Sequence, residues 1–384
     1  MAWPANDITK ISKYITEAMD QIFEHELKTS GLTADSTMVQ AGKTAKTIYL
    51  ATPSTKGAGD YSATAGWTKN RGKLEWEGYS LRYDRGTSFL IDALETQETN
   101  GLASVGLMAG EFLRTQMIPE IDAVRMATIA GVANNAGYSA ENEAITKANI
   151  VSKITEALDD MYDRTGADTG NIVFVNNKLR SVLNGSTEYT KVRQIMEAPK
   201  GINSVIETIN GNPIVFVPSR RMFSGIVLND GDGNDGGFDN SGSSINFAIV
   251  KPGSAQGLIS YLNTSMLPKG QHTEGDGDFY AYRIYHDCIC PKNQHGGLYV
   301  SMAGDFDGIQ VRYDANGGTG TVTDSKNYVV GDKATVKAST GLTAPAGKTF
   351  SKWNTKADGT GTDYDPNDKI DLEADVKLFA IWAS

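Results

Sequence analysis

The 384-residue sequence predicts an α+β fold with a separate small β-rich domain at its C-terminal end. Three observations carry that reading. A strand-forming run from Tyr79 to Asp92 leads into an apolar stripe at helical spacing that continues to Val132, far beyond average helix length. Residues 150 to 290 then alternate helical and extended patterns, and from Gly304 the composition turns to Thr, Gly and Asp with strand-like alternation.

In residues 7 to 28, Ile8, Ile11, Ile15, Met19, Ile22 and Phe23 fall at helical spacing and predict an amphipathic N-terminal arm that needs a partner surface. Residues 39 to 88 read as an extended loop. Its two strands flank a Gly-rich tip at Lys56-Gly57-Ala58-Gly59-Asp60, with Lys69, Arg71 and Lys73 on the return. A lone two-stranded ribbon is marginal in water, so this one leans on another surface. Glu98-Thr99-Asn100 supplies an N-cap for a helix over 99 to 133, striped by Leu102, Val105, Ala109, Phe112, Leu113, Ile118, Ile121, Val124 and Ile129. Unbroken, that helix spans roughly 45 to 50 Å. Pro119 removes one of its hydrogen bonds and, because the stripe resumes beyond it, predicts a kink and not a stop. Gly106 and Gly110 each weaken it by about 1 kcal/mol relative to Ala, which close packing must offset.

Further along, helices are expected over residues 150 to 163 and 178 to 183, and strands over 171 to 175, 213 to 217, 245 to 250, 258 to 262, 278 to 289 and 298 to 301. Asn229 to Ser244 is almost entirely Gly, Asp, Asn and Ser, which predicts a surface loop. The domain boundary is placed between 308 and 309. In 309–384, Ile309, Val311 and Tyr313 alternate at one end, Val376, Leu378, Ala380 and Trp382 at the other, with Phe350 and Trp353 between as core.

A net charge of -10 disfavours tight phosphate neutralisation by clustered Lys and Arg. The first residues carry no basic stretch followed by an apolar run, and no membrane-spanning run of about 18 apolar residues occurs. The expectation is a soluble protein made in the cytoplasm, whose two cysteines, Cys288 and Cys290, are too few for a disulfide framework.

The chemical motifs fail on inspection. Gly231-Asp232-Gly233-Asn234-Asp235-Gly236 has dinucleotide-loop spacing, but its aspartates repel a pyrophosphate and no helix opens after it. As a calcium loop it has Asp235 where Gly is needed and Ser241 where Glu is needed. Gly42-Lys43-Thr44 has Thr37 where a phosphate cradle needs its first Gly. His286, Cys288 and Cys290 share a strand face with His295 following, and a half-buried strand accounts for that spacing without zinc. With four histidines and no G-x-S-x-G, a hydrolase triad has no foothold. Arg220-Arg221 reads as surface charge or as ion-pair partners to a neighbouring subunit, not as a DNA contact. No catalytic, cofactor-binding or metal residues are assigned.

About the first four-fifths of the chain resembles the tailed-phage major capsid proteins of the Hong Kong ninety-seven-like fold. The residues that carry the resemblance are Asp84-Arg85-Gly86 leading to Phe89-Leu90-Ile91-Asp92, Pro119-Glu120-Ile121-Asp122, Ile172 to Asn176, Gly211 to Pro218 and Ala281 to Asp287. It implies an N-terminal arm (1–38), extended loop (39–88), spine helix (99–133) and peripheral and axial α+β region (150–290). Val311 to Ser384 resembles an internalin-type B-repeat through Tyr313 to Thr319, Lys348 to Thr355 and Leu378 to Trp382. That implies a small β-grasp-like domain displayed on the outer face as a decoration, available for adhesion or stabilisation.

The implied function is a structural, non-enzymatic shell protein that forms hexamers and pentamers and encloses double-stranded DNA without sequence-specific binding. A portal protein, a separately encoded scaffolding protein and host-surface contact through 309–384 are the implied partners, with no membrane and no cofactor. Because Met1 is retained and only about 40 residues precede the loop, no proteolytic maturation is expected. Lys56, Trp67, Lys69, Arg71, Lys73, Trp76 and Arg85 are the candidate inter-subunit contacts, and Pro119 is the spine kink. Rival readings are an encapsulin-like nanocompartment shell and, more distantly, a surface adhesin.

Overall fold

The computed structural model describes residues 26–33, 39–41, 47–54, 59, 61, 72–94, 105–166, 170–186, 194–197, 203–206, 208–231, 236–267, 269–329, 332–372 and 374–383. The expected arm helix up to residue 25, most of the ribbon tip and the N-cap at Glu98-Thr99-Asn100 lie outside them. In chain order come β1 (Val39–Ala41), β2 (Thr47–Ser54), β3 (Lys73–Ser80) and β4 (Tyr83–Asp92). One helical run follows: α1 (Val105–Phe112), a π-helical turn (Leu113–Met117) and α2 (Ile118–Asn135). Next are β5 (Ser139–Ala140), α3 (Ile150–Thr165), β6 (Ile172–Asn176), α4 (Arg180–Asn184), β7 (Gln194–Glu197), β8 (Asn203–Ile206), β9 (Thr208–Ile209) and β10 (Asn212–Val217). β11 (Phe223–Leu228), β12 (Phe238–Val250), β13 (Gln256–Leu267), β14 (Gly277–Ile289) and β15 (Leu298–Met302) complete this part. The C-terminal strands are β16 (Val311–Asp314), β17 (Thr319–Gly320), β18 (Lys333–Thr335), β19 (Leu342–Thr343), β20 (Thr349–Asn354), β21 (Asp363–Tyr364), β22 (Lys369–Asp371) and β23 (Val376–Ala383).

Contacts divide the chain into two compact units. The first comprises Met1–Gln21, Leu32–Glu111 and Gln256–Ile289. It contains the β1-β2-β3 sheet and a long antiparallel sheet in the order β13-β14-β4. β4 alternates between more and less buried positions because one face of its sheet is solvated. Gly277 is where β14 begins its pairing with β4. A Cβ there would lie 2.0 Å from the Ile91 carbonyl oxygen, so only glycine lets the strands meet.

The second unit comprises Ile22–Gly31, Phe112–Ala255 and Cys290–Ser384. Its centre is a seven-stranded mixed sheet in the order β5-β15-β12-β6-β10-β9, with β11 paired to β12. The apolar positions of α3, Ile150, Ile154, Ala157, Leu158 and Met161, recur at helical spacing and pack on Val173, Val175, Phe247 and Ile249. Gly166 ends α3 in the left-handed conformation, donating its N–H to the Tyr162 carbonyl. α2 packs along β11 and against β12 and β15.

Residues 309–383 are β-rich, with a four-stranded sheet ordered β16-β23-β20-β21 and two short ladders, β17-β19 and β18-β22. Trp353 is fully buried at their centre, with Tyr313 and Phe350 set edge-on at 4.8 and 5.2 Å between centroids. Its indole N–H donates to the Lys337 carbonyl at 2.9 Å, and that of Trp382 to Ala315 and Asn316.

Three expectations require correction. The loop expected over Asn229 to Ser244 is shorter, since β12 already begins at Phe238 and pairs with β11. Phe238 is buried beneath the Arg220 guanidinium, so one aromatic anchors the start of a strand whose first half is otherwise polar. The extended loop stops at Ser80, because Tyr83 to Asp92 pairs residue for residue with β14. The ribbon also has a third strand, β1, at its base.

Replacing Trp353 with Ala should lower the stability of the C-terminal strands by about 3–5 kcal/mol, the usual range for emptying an aromatic core position. Trp382→Phe, which keeps a ring but loses the N–H, should lower it by about 1 kcal/mol. Urea denaturation followed by circular dichroism checks both, and equal effects would contradict this packing.

Candidate functional site

The ribbon is built from the register of its strands. β2 and β3 pair from Thr47 opposite Ser80 to Ser54 opposite Lys73. Alternation sends Ile48 and Leu50, with Tyr79, into a core shared with Leu81, Leu258, Tyr285 and Ile289. The opposite face carries Tyr49, Leu74 and Trp76, which are 36%, 59% and 49% exposed. The Tyr49 ring lies over Gly78, where a Cβ would stand 3.1 Å from it. This face is apolar and uncovered in the single chain.

A buried ion pair fixes the corner where ribbon becomes sheet. The Arg82 guanidinium donates to both carboxylate oxygens of Asp287 at 2.7 to 3.2 Å, and the Arg82 backbone N–H donates at 3.1 Å. Asp287 is 3% exposed and also accepts the Cys288 N–H. In the neighbouring positions Tyr83 stacks on the buried His286 ring at 5.6 Å.

The spine run holds the second polar cluster. Its π-helical turn closes from the Ile118 N–H to the Leu113 carbonyl, and Pro119 follows at the start of α2, where a missing N–H is tolerated. From Met117 to Gly131 every residue is buried, the charged Glu120, Asp122 and Arg125 included. Asp122 accepts hydrogen bonds from the Lys28 and Thr29 backbone N–H groups, the Thr29 hydroxyl and the Arg221 guanidinium, at 3.2, 3.0, 2.7 and 2.8 Å. Arg125 donates to the carbonyl and hydroxyl of the same Thr29. Arg114, about two turns before Asp122, pairs with Glu26 at 2.9 Å. Segment 26–29 is thereby strapped along the helix.

Of the predicted contact residues, Lys56, Trp67, Lys69 and Arg71 lie outside the described residues. Trp76 is on the uncovered ribbon face, Lys73 is exposed at the first position of β3, and Arg85 is half-buried on β4 opposite Ile284. Arg220 is exposed, as the surface reading expects, but that reading is overturned for Arg221. Arg221 pairs with the buried Asp122, and Arg220 covers Phe238 at 4.9 Å and donates to its carbonyl. Tyr49 and Leu74 were missed as surface residues, although alternation from the buried Ile48 and Leu50 marks the Tyr49 face. Asp122 was missed as a junction, and its one signal is a carboxylate between apolar neighbours Ile121 and Val124.

Burial pushes the Tyr280 phenol well above its ordinary value, against the hydrogen bond from Thr264, which keeps it protonated. Among the described residues no three His, Cys, Asp or Glu side chains are grouped to hold a metal ion. His295 instead sets a ring nitrogen 3.1 Å from the Cys290 carbonyl oxygen.

Residues 310–381 match the family described as Flg_new, the Listeria-Bacteroides repeat domain. No curated protein matches the chain. Among solved structures it is similar to one from Mycobacterium phage Bobi, at 11% identity, TM-score 0.47, covering 73% of this chain and 91% of that one. It is also similar to the capsid structure of the cyanophage P-SCSP1u, at 11% identity, TM-score 0.44 and coverage of 70% and 86%. A third, a virus-like particle from Pyrococcus furiosus, has 10% identity, TM-score 0.43 and coverage of 75% and 98%.

Asp122→Ala strands the Arg221 guanidinium and the N–H groups of segment 28–29 and should cost about 3–5 kcal/mol of stability. Thr29→Ala, which removes one hydroxyl from the same cluster, should cost about 1–2 kcal/mol. Denaturant midpoints measure the pair; a smaller loss for Asp122→Ala than for Thr29→Ala would refute this cluster.

Proposed function

We propose that this chain is the major shell subunit of a phage capsid, a non-enzymatic protein that assembles with copies of itself around packaged double-stranded DNA. The carrying observation is the ribbon. Its inner face is anchored in a core, while Tyr49, Leu74 and Trp76 form an apolar outer face that the single chain leaves open. A second copy of the chain, through closed symmetry, is the occupant that leaves no such face unpaired at the edge of the assembly. The order of ribbon, long helix, α+β sheet and late strands also matches what the capsid resemblance implies.

The basic residues Lys69, Arg71 and Lys73 dock against acidic residues of a neighbouring copy, in keeping with the net charge of -10. A scaffolding protein, a portal and the cytoplasm of a bacterial host complete this reading, with the capsid of the virion as the final location. The C-terminal repeat is an added domain on that subunit.

Coexpression with candidate scaffolding proteins, followed by electron microscopy, should yield closed shells. Changing Leu74 and Trp76 together to Glu, or reversing charge at Lys69, Arg71 and Lys73, should reduce shell yield by about tenfold or more, because many copies of a weak contact are lost at once. The circular dichroism of the unassembled chain should stay unchanged. Normal shells from both variants would sink the ribbon's role, and shells that carry enzyme cargo and no DNA would favour the nanocompartment.

A further inference from the structure

The C-terminal repeat meets α2 through a set of contacts that a pendant domain on a flexible tether would lack. The joining segment is itself held. The Ala303 N–H donates to the Ser244 carbonyl and the Asn142 N–H to the Gly304 carbonyl, while Asn142 and Ser243 side chains donate to the Asp305 carboxylate and carbonyl. Phe306 is buried.

Beyond the joint, the side-chain amide of Asn135 pairs with the backbone of Asn327 as one strand pairs with another. Asn135 donates to the Asn327 carbonyl at 2.5 Å and accepts its N–H at 3.0 Å. The Asn327 side chain donates to Asn134 at 3.2 Å and accepts from Gln310 at 3.3 Å, which orients it from both sides. One turn back along the helix, Gly131 forms a notch. A Cβ there would come within 2.6 Å of Val329 and 3.7 Å of Phe306, and Val329 is only 8% exposed. Valine is stiff at χ1 and cannot swing aside, so the notch is closed to any residue but glycine without displacing the repeat.

We infer that the repeat serves as a clasp: it locks onto the C-terminal half of α2 through Gly131, Asn134 and Asn135 and holds that end of the helix rigid, so its role is mechanical. The inference does not rest on the capsid reading. A cleft of about 450 Å³ runs beside the contact between Thr128 and Asn134 on the helix and Lys326 and Asp332 on the repeat. The clasp is therefore a line of contact with one wet side, and each amide contributes modestly.

Hydrogen exchange on the full chain tests this. In the wild-type protein, amides of 303–309 and 324–329 should be protected along with the helix end at 128–136. Asn135→Ala removes two hydrogen bonds while improving helix propensity, so it should raise exchange of 303–309 and 324–329 by about tenfold. Exchange within 349–354 and 376–383 should stay unchanged, since the repeat keeps its own core. Gly131→Leu should have the same effect, larger. If Gly131→Leu also loosens 349–354, the protein has misfolded and Asn135→Ala decides. Free exchange of 303–309 in the wild-type protein, or no change in Asn135→Ala, would overturn the clasp.

Discussion

A helix buried around its whole circumference has no face on which a charge can be left to water, and α2 is such a helix from Met117 to Gly131. Placing Asp122 and Arg125 there ties two distant segments to them. A buried carboxylate is tolerable only when its oxygens are fully hydrogen-bonded, and Asp122 draws its donors from Lys28-Thr29 and from Arg221, about 93 and 99 residues away in sequence. Neither segment can drift without stranding the charge. The cluster therefore specifies where segment 26–29 and the turn before β11 must sit, even if an apolar replacement of equal shape were as stable.

The first unit solves a different problem with the same chemistry. At Leu81-Arg82 the chain leaves a ribbon and enters the long β4-β14 pairing, a place where a slip of one residue would exchange the two faces of both sheets. The Arg82–Asp287 pair, bidentate and reinforced by the Arg82 backbone N–H, admits one register only. The consequence appears at the ribbon. Ile48, Leu50 and Tyr79 are held inward, so Tyr49, Leu74 and Trp76 are presented outward as a preformed face, and less ordering remains to be done when that face is covered.

Elements with a clear period were legible in the sequence. α3, β6, β10, β14 and β15 stand within a few residues of their expected places, because each has a side packed on one core and the spacing of apolar residues records it. The start of β12 was not legible, since Phe238-Asp239-Asn240-Ser241-Gly242 has the composition of a turn and is made a strand by pairing with β11 and by Arg220 over Phe238. Arg221 illustrates the same limit. A pair of adjacent arginines reads as surface unless the buried carboxylate it serves is known, and no local pattern connects Asp122 to Arg221. The kink expected at Pro119 was read from its missing N–H alone, whereas the π-helical turn that precedes it depends on the packing of Leu113 and Met117, both buried.

Under the proposed shell role, a rigid interior and a weak exterior belong together, because such a subunit must assemble reversibly. If the subunit could deform, each weak contact would first have to order it, and the ordering entropy would exceed what a single small apolar face returns. The two buried ionic clusters remove that difficulty in separate places: one fixes the ribbon's root, the other fixes the helix on which the sheet of the second unit rests. Their contribution to net stability is small beside their contribution to uniqueness, because a buried pair roughly offsets its own desolvation. In that proposed assembly the ribbon's outer face can remain weak, which lets a misplaced neighbour leave again, while the sum over many identical contacts stays large.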